Sequence, residues 1–126
     1  MALQEYHYDL HMHSCLSPCA DNDMTPNNLV NMALLGGLDV IAVTDHNAVG
    51  NCAAAMRVGE QNGLIVLPGM ELTTSEEIHV VCLFPGLDPA EEFAAQVYAS
   101  LPPIDNRPDI FGEQLLLNAV DEPVGV

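Results

Sequence analysis

The chain has 126 residues, 49% of them hydrophobic, which is enough for one modest domain with a core and too apolar for a disordered segment. Eighteen acidic residues against two arginines and no lysine give a formal net charge of -16, which argues against direct binding to nucleic acid or anionic lipid, because both depend on Lys and Arg neutralising phosphates. No apolar run reaches the roughly 18 residues that cross a bilayer, and the first residues lack the basic and apolar regions of a secretion signal, so the expected location is cytoplasmic, without a membrane partner.

The first expected element is a strand over residues 6–12. Tyr6, Tyr8, Leu10 and Met12 alternate with His7, Asp9, His11 and His13, the period of two that sends successive side chains to opposite faces. His11 and His13 then share a face one pleat apart, a separation at which two imidazoles take one metal ion without strain. Residues 14–25 are small, polar and broken by Pro18, and read as a loop. Thr25 and Pro26 supply an N-cap and a first-turn proline. Leu29, Val30, Met32, Ala33, Leu34 and Leu35 give the apolar face of the helix that follows, and Gly36-Gly37 stops it.

Leu38 to Thr44 is a nearly continuous apolar run, the pattern of a buried parallel strand, and Asp45-His46-Asn47 follows its C-terminal end. Residues 48–62 are predicted to be helical, with Ala53, Ala54, Met56 and Val58 inward and Asn62-Gly63 as the stop. Leu64 to Leu72 is a third strand carrying Gly69-Met70-Glu71, and Ile78 to Phe84 is a fourth carrying His79. Asp88-Pro89 opens a helix to about residue 100, with Phe93, Ala94, Val97 and Leu101 as its stripe, and Pro102-Pro103 breaks it. Residues 104–112 read as irregular or shortly helical. Residues 114–119 form a possible strand, with Asp121-Glu122 as a turn and Pro123 to Val126 returning.

Of the cysteines, Cys52 and Cys82 sit in apolar patterns and are expected in the core, while Cys15 and Cys19 stay open as ligands. A thiol site on Cys15 and Cys19 is disfavoured, because C-x3-C is not the C-x2-C spacing of thioredoxin-like proteins.

The order β-α-β-α-β-β-α implies an α/β fold with a mostly parallel sheet and helical crossovers. Chemistry in such folds sits beyond the C-terminal strand ends. His11, His13, Asp45, His46, Glu71 and Glu76 or Glu77 all fall at or just past such ends; His79, near the start of its strand, is the exception. Imidazoles with carboxylates and few thiolates suit catalytic Zn, Mn or Fe rather than a structural zinc. Glu71 can bridge two ions, and a cationic cluster would draw an anionic substrate to an acidic chain.

His11-Met12-His13-Ser14, Thr44-Asp45-His46, Gly69-Met70-Glu71 and Ile78-His79-Val80-Val81 resemble, in order and context, the motifs of the PHP (polymerase and histidinol phosphatase) superfamily, over about two-thirds of the chain from Tyr8 to Phe84. The resemblance implies a distorted (β/α)7 TIM-like barrel with up to three divalent ions, and hydrolysis of a phosphate ester by metal-bound hydroxide. By position, His11 and His13 would hold the first ion, Glu71 would bridge to the second, His79 would hold the second and His46 the third. The loop after His13 is longer than in the family, and Cys19, Asp21 or Asp23 would complete the third site. Asp45 is expected to orient a ligand histidine, and His7 to be structural. Nothing after His79 supplies a further histidine, although family domains carry more. Residues 1–126 are therefore expected to be the N-terminal portion of a single PHP domain, acting on a small phosphorylated substrate or inactive as a fragment. Its uncovered sheet edges would lead it to self-associate as a homo-oligomer. The competing reading is a non-catalytic metal-binding or assembly module.

Overall fold

The computed structural model describes residues 3–17, 23–100, 116–117 and 119–125. The elements run β1 (Tyr8–Met12), α1 (Pro26–Leu35), β2 (Val40–Val43), α2 (Cys52–Asn62), β3 (Ile65–Thr73), β4 (His79–Leu83), α3 (Leu87–Ser100), β5 (Leu116–Leu117) and β6 (Pro123–Gly125). One sheet has the order β1-β2-β3-β4, and β5 and β6 form a separate antiparallel pair. β1, β2 and β3 are parallel, joined by α1 and α2, while β4 folds back antiparallel on β3. This is the expected α/β order, and the strand return near the end of the chain is present as well.

The local signals act as expected at the helix ends. The Thr25 hydroxyl accepts a hydrogen bond from the Asn28 amide, Pro26 opens α1, and Gly36 closes it. Gly63 ends α2 in the left-handed conformation, with φ 77°. Helix α2 begins at Cys52, four residues later than the apolar pattern predicts. Asn47 takes a left-handed φ of 53°, which Asn tolerates and which helix does not.

The core lies between the helices and one face of the sheet. Leu29, Val30 and Ala33 of α1 meet Ile41 and Val43 of β2, Ala55 and Val58 of α2, and Val66 and Met70 of β3. Each large side chain buried this way stabilises the fold by about 1.5–3 kcal/mol. The predicted helix faces are too wide. Met32, Leu34 and Leu35 of α1 are exposed, and on α2 Ala53 faces out while Ala55 faces in. Cys52 is fully buried as expected, but Cys82 is only half-buried, because β4 is an edge strand. Leu101 lies outside the described residues.

The reversal at residues 74–78 matters for function. Thr74 N–H donates to the Ile78 carbonyl (2.9 Å), and Glu77 takes a φ of 63°. The turn pairs His79 with Thr73. The start of an antiparallel β4 is thereby set beside the C-terminal end of β3, and His79 joins the rim to which it was the exception.

Gly69 is where β3 passes closest to its neighbours. A Cβ there would lie 2.8 Å from both the Cys82 carbonyl oxygen and Thr44 Cγ2. Gly69→Ala is expected to destabilise the chain by about 1–3 kcal/mol through overpacking. The check is a lower urea midpoint with unchanged slope.

Candidate metal centre

Alternation along β3 sends Met70 into the core and Glu71 to the opposite face. The Glu71 backbone is pinned on both sides: its N–H donates to the Asp45 carbonyl (2.9 Å), and its carbonyl accepts from the Asn47 N–H (3.1 Å). This parallel pairing sets His46 directly beside Glu71. The Asn47 side chain extends the tie, accepting from the Thr73 amide at 2.8 Å.

The Glu71 carboxylate collects four imidazoles. Its Oε1 meets His11 Nε2, in a very short contact, and His13 Nε2 at 3.0 Å. Its Oε2 meets His79 Nδ1 at 2.6 Å and His46 Nδ1 at 3.4 Å. His11 and His13 present their Nε2 atoms to each other at 3.3 Å, and the His13 and His46 rings meet edge-on with centroids 4.6 Å apart. Two sets of donor atoms result, His11–His13–Glu71 and His46–Glu71–His79, each within 4.8 Å of one another.

The donors suit divalent ions. Two imidazole nitrogens lie beside one oxygen of the carboxylate and two more reach its other oxygen, so each oxygen is grouped with a pair of nitrogens. Nitrogen and carboxylate oxygen without thiolate is the set preferred by Zn, Mn and Fe. Burial would push the Glu71 carboxyl up, but hydrogen bonds with His79, His11 and His13, together with the charge of His46, bring it down to about 2. Burial pushes His46 down, partly offset by Glu71, which favours the neutral imidazole that can bind metal.

Asp45 bonds the serines of the loop beside the two histidine motifs. Its buried carboxylate holds the loop after His13: Oδ1 accepts from the Ser14 amide (2.6 Å) and the Ser17 hydroxyl (2.7 Å), and Oδ2 accepts from the Ser14 hydroxyl (2.6 Å). Burial pushes its pKa up, against these three bonds. Ser17 Oγ in turn accepts from the His46 amide at 3.1 Å.

His11, His13, His46, Glu71 and His79 are thus brought together. Cys19 and Asp21 lie outside the described residues. Asp23 is exposed, and with Glu76 and Glu77 it belongs to neither donor set. Cys15 is buried against Asn51, its thiol pushed up chiefly by burial, and also belongs to neither. His7 is exposed, 3.8 Å from Glu5. Sequence reasoning assigned no role to Ser14, Ser17, Asn47 and Asn51. The one signal available was a run of small polar residues flanking two histidine motifs.

The profile of the PHP domain matches residues 9–118. The chain belongs to the PHP domain family. Over 86 residues this PHP chain is 35% identical to the 3',5'-nucleoside bisphosphate phosphatase of Chromobacterium violaceum, a match covering 66% of this chain and 28% of that one. Over 81 residues it is 36% identical to the 5'-3' exoribonuclease Rnm of Escherichia coli, covering 60% and 27%. Among solved structures it resembles a protein of Bifidobacterium adolescentis provisionally described as a metal-dependent phosphoesterase, with TM-score 0.59 and 28% identity over 77% of this chain and 33% of that one. It also resembles an amidohydrolase of Chromobacterium violaceum with bound sulfate and no metal, with TM-score 0.58 and 27% identity over 71% and 32%. Each match therefore spans a third or less of the longer protein. The α/β sheet and its order are consistent with part of a PHP-type barrel.

The depressed Glu71 pKa gives a signed expectation for ion-free protein. A carboxyl with a folded pKa of about 2 against an ordinary 4.5 contributes stability that is present above pH 4.5 and is lost as pH falls toward 2. Glu71→Gln should abolish that pH dependence. Urea unfolding of chelator-treated protein between pH 5 and 2 checks it, and parallel wild-type and variant curves would contradict the arrangement.

Proposed function

We propose that the chain is the N-terminal portion of a PHP-type (β/α)7 barrel that hydrolyses a small phosphate ester with divalent Zn, Mn or Fe. The observation that supports this reading is one buried carboxylate shared between two pairs of imidazoles, in a chain whose relatives include a phosphatase and an exoribonuclease. His11, His13 and Glu71 would hold one ion, and His46, His79 and Glu71 a second. The family resemblance would send His46 to a third ion with Cys19, Asp21 or Asp23; its 3.4 Å distance to Glu71 favours the second instead. Bound ions would supply Lewis acidity, stabilising charge on phosphoryl oxygens and lowering the pKa of water.

The chain's own residues do the rest. Glu71 is ionised at neutral pH and nearly enclosed, so its charge is poorly solvated and holds cations close together. His11 and His79 have side chains 54% exposed, against 17% for His13 and 23% for His46. Of the four imidazoles, His11 and His79 are therefore the more open to an approaching substrate. Arg57, on the exposed surface of α2, is the one arginine among the described residues and belongs to neither donor set.

A second reading, a non-catalytic metal-binding or assembly module, is favoured by a specific observation. Ile78, Val80, Val81 and Leu83, at the β4 edge, are each more than 40% exposed, an apolar surface that further chain or a second copy would cover.

Replacing His11 and His13 together by Ala should remove at least one bound ion and lower p-nitrophenyl phosphate hydrolysis by about a hundredfold or more. Elemental analysis, phosphatase assay and light-scattering mass on the same samples check this. Unchanged ion content overturns the metal assignment. Ion uptake by wild type without any hydrolysis supports the module instead.

A further inference from the structure

Asn51 is an N-cap that does not cap. It precedes α2, where an Asn side chain ordinarily accepts from an amide of the first turn, yet no such bond forms. The side chain is fully buried and directed elsewhere. Its Nδ2 donates to Ser14 Oγ (3.0 Å) and to Cys15 Sγ (3.7 Å), and its Oδ1 accepts from the Leu117 amide (2.9 Å). A buried side chain that gives up a cap is compensated at its other partners.

Those partners are linked to one another. Ser14 Oγ donates to Asp45 and accepts from both Asn51 and the Leu16 amide, which uses its one proton and both lone pairs. Asp45 also holds Ser17, whose hydroxyl receives the His46 amide. His13 directly precedes Ser14, and His46 directly follows Asp45. At the far end, the β5–β6 hairpin is seated twice. Leu116 lies over Gly50, where a Cβ would collide with it. Asp121, in the hairpin turn, accepts from Thr25 Oγ1 (2.7 Å) and Asn27 Nδ2 (2.8 Å) at the start of α1.

We infer that Asn51 is a positioning residue for the candidate metal centre: its carboxamide ties the docked β5 strand to the loop of residues 14–17, and through Ser14 and Asp45 it fixes where His13 and His46 stand. The inference rests on the proposed metal reading. The described bonds of Asn51 go to Ser14, Cys15 and Leu117, so the route to the histidines runs through the loop. The β5–β6 pair is then a support of the site.

The test uses Asn51→Asp, which keeps an oxygen for the Leu117 amide but turns an acceptor toward Ser14 Oγ, and Val58→Ala as a control for general destabilisation in the same helix. Manganese(II) alone is titrated into each chelator-treated chain well below its melting temperature, and the imidazole nitrogen resonances of the ion-free chains are compared. Asn51→Asp is expected to weaken manganese binding about 10–100-fold, to shift the His13 and His46 resonances and to leave His7 unmoved. Val58→Ala is expected to lower stability with binding within about twofold of wild type. Should Asn51→Asp melt near the assay temperature, Asn51→Ser takes its place. Equal weakening in Asn51→Asp and Val58→Ala, or wild-type affinity with unshifted resonances in Asn51→Asp, overturns the positioning role alone. A wild-type chain that binds no manganese, zinc or iron overturns the metal reading, and the inference with it.

Discussion

Between Met70 and Glu71 the chain passes from core to site. The two side chains point to opposite faces because a strand alternates, and both are buried. A register slip of one residue would drive the carboxylate into the apolar core and send Met70 to the rim, exchanging two good environments for two costly ones. The packing that holds β3 between β2 and β4 therefore also aims Glu71. The same register lets Asp45 and Asn47 bond the Glu71 backbone on either side, which fixes His46 alongside. Folding and site assembly are one constraint seen from two faces of a sheet.

Much of this is legible in the residues. Alternation over Tyr8 to Met12 places His11, and by extension His13, on one face, and the apolar runs before Asp45 and Glu71 announce buried strands whose ends carry ligand chemistry. What the residues do not carry is strand direction. His79 looked misplaced until the turn at residues 74–78 reversed the chain and made the start of β4 part of the same rim. Helix faces were only half legible, for a related reason. Met32, Leu34 and Leu35 are as apolar as Leu29 and Val30, but burial depends on whether a partner surface exists, and on α1 it does so only for Leu29, Val30 and Ala33. The serine partners of Asp45 were not legible, because its neighbour in sequence is a candidate ligand histidine while its neighbours in space are serines.

The serines explain how an acidic group is tolerated inside the fold. Removing a carboxylate from water costs several kcal/mol unless its lone pairs are met. Asp45 has three short donors from two serines three positions apart in the loop after His13, so desolvation is offset locally and that stretch of the loop is held in place in return. Within the described residues no buried side-chain polar atom lacks a partner. Candidate ligand residues on or just past strand ends, beside a loop with its polar groups satisfied, form a more rigid frame than ligands on free loops.

A formal charge of -16 opposes the approach of a phosphate-bearing substrate, and distance resolves the conflict. At physiological ionic strength the screening length is about 8 Å, so carboxylates spread over the surface act weakly on an anion already at the rim. An ion in contact acts without that screening: two unit charges about 4 Å apart in a partly shielded setting attract by about 4 kcal/mol before desolvation is counted. On the proposed reading the short-range positive charge comes from the ions that Glu71 and its imidazoles hold. The acidic surface would slow the approach of a phosphate ester, while the metal centre would decide whether it stays.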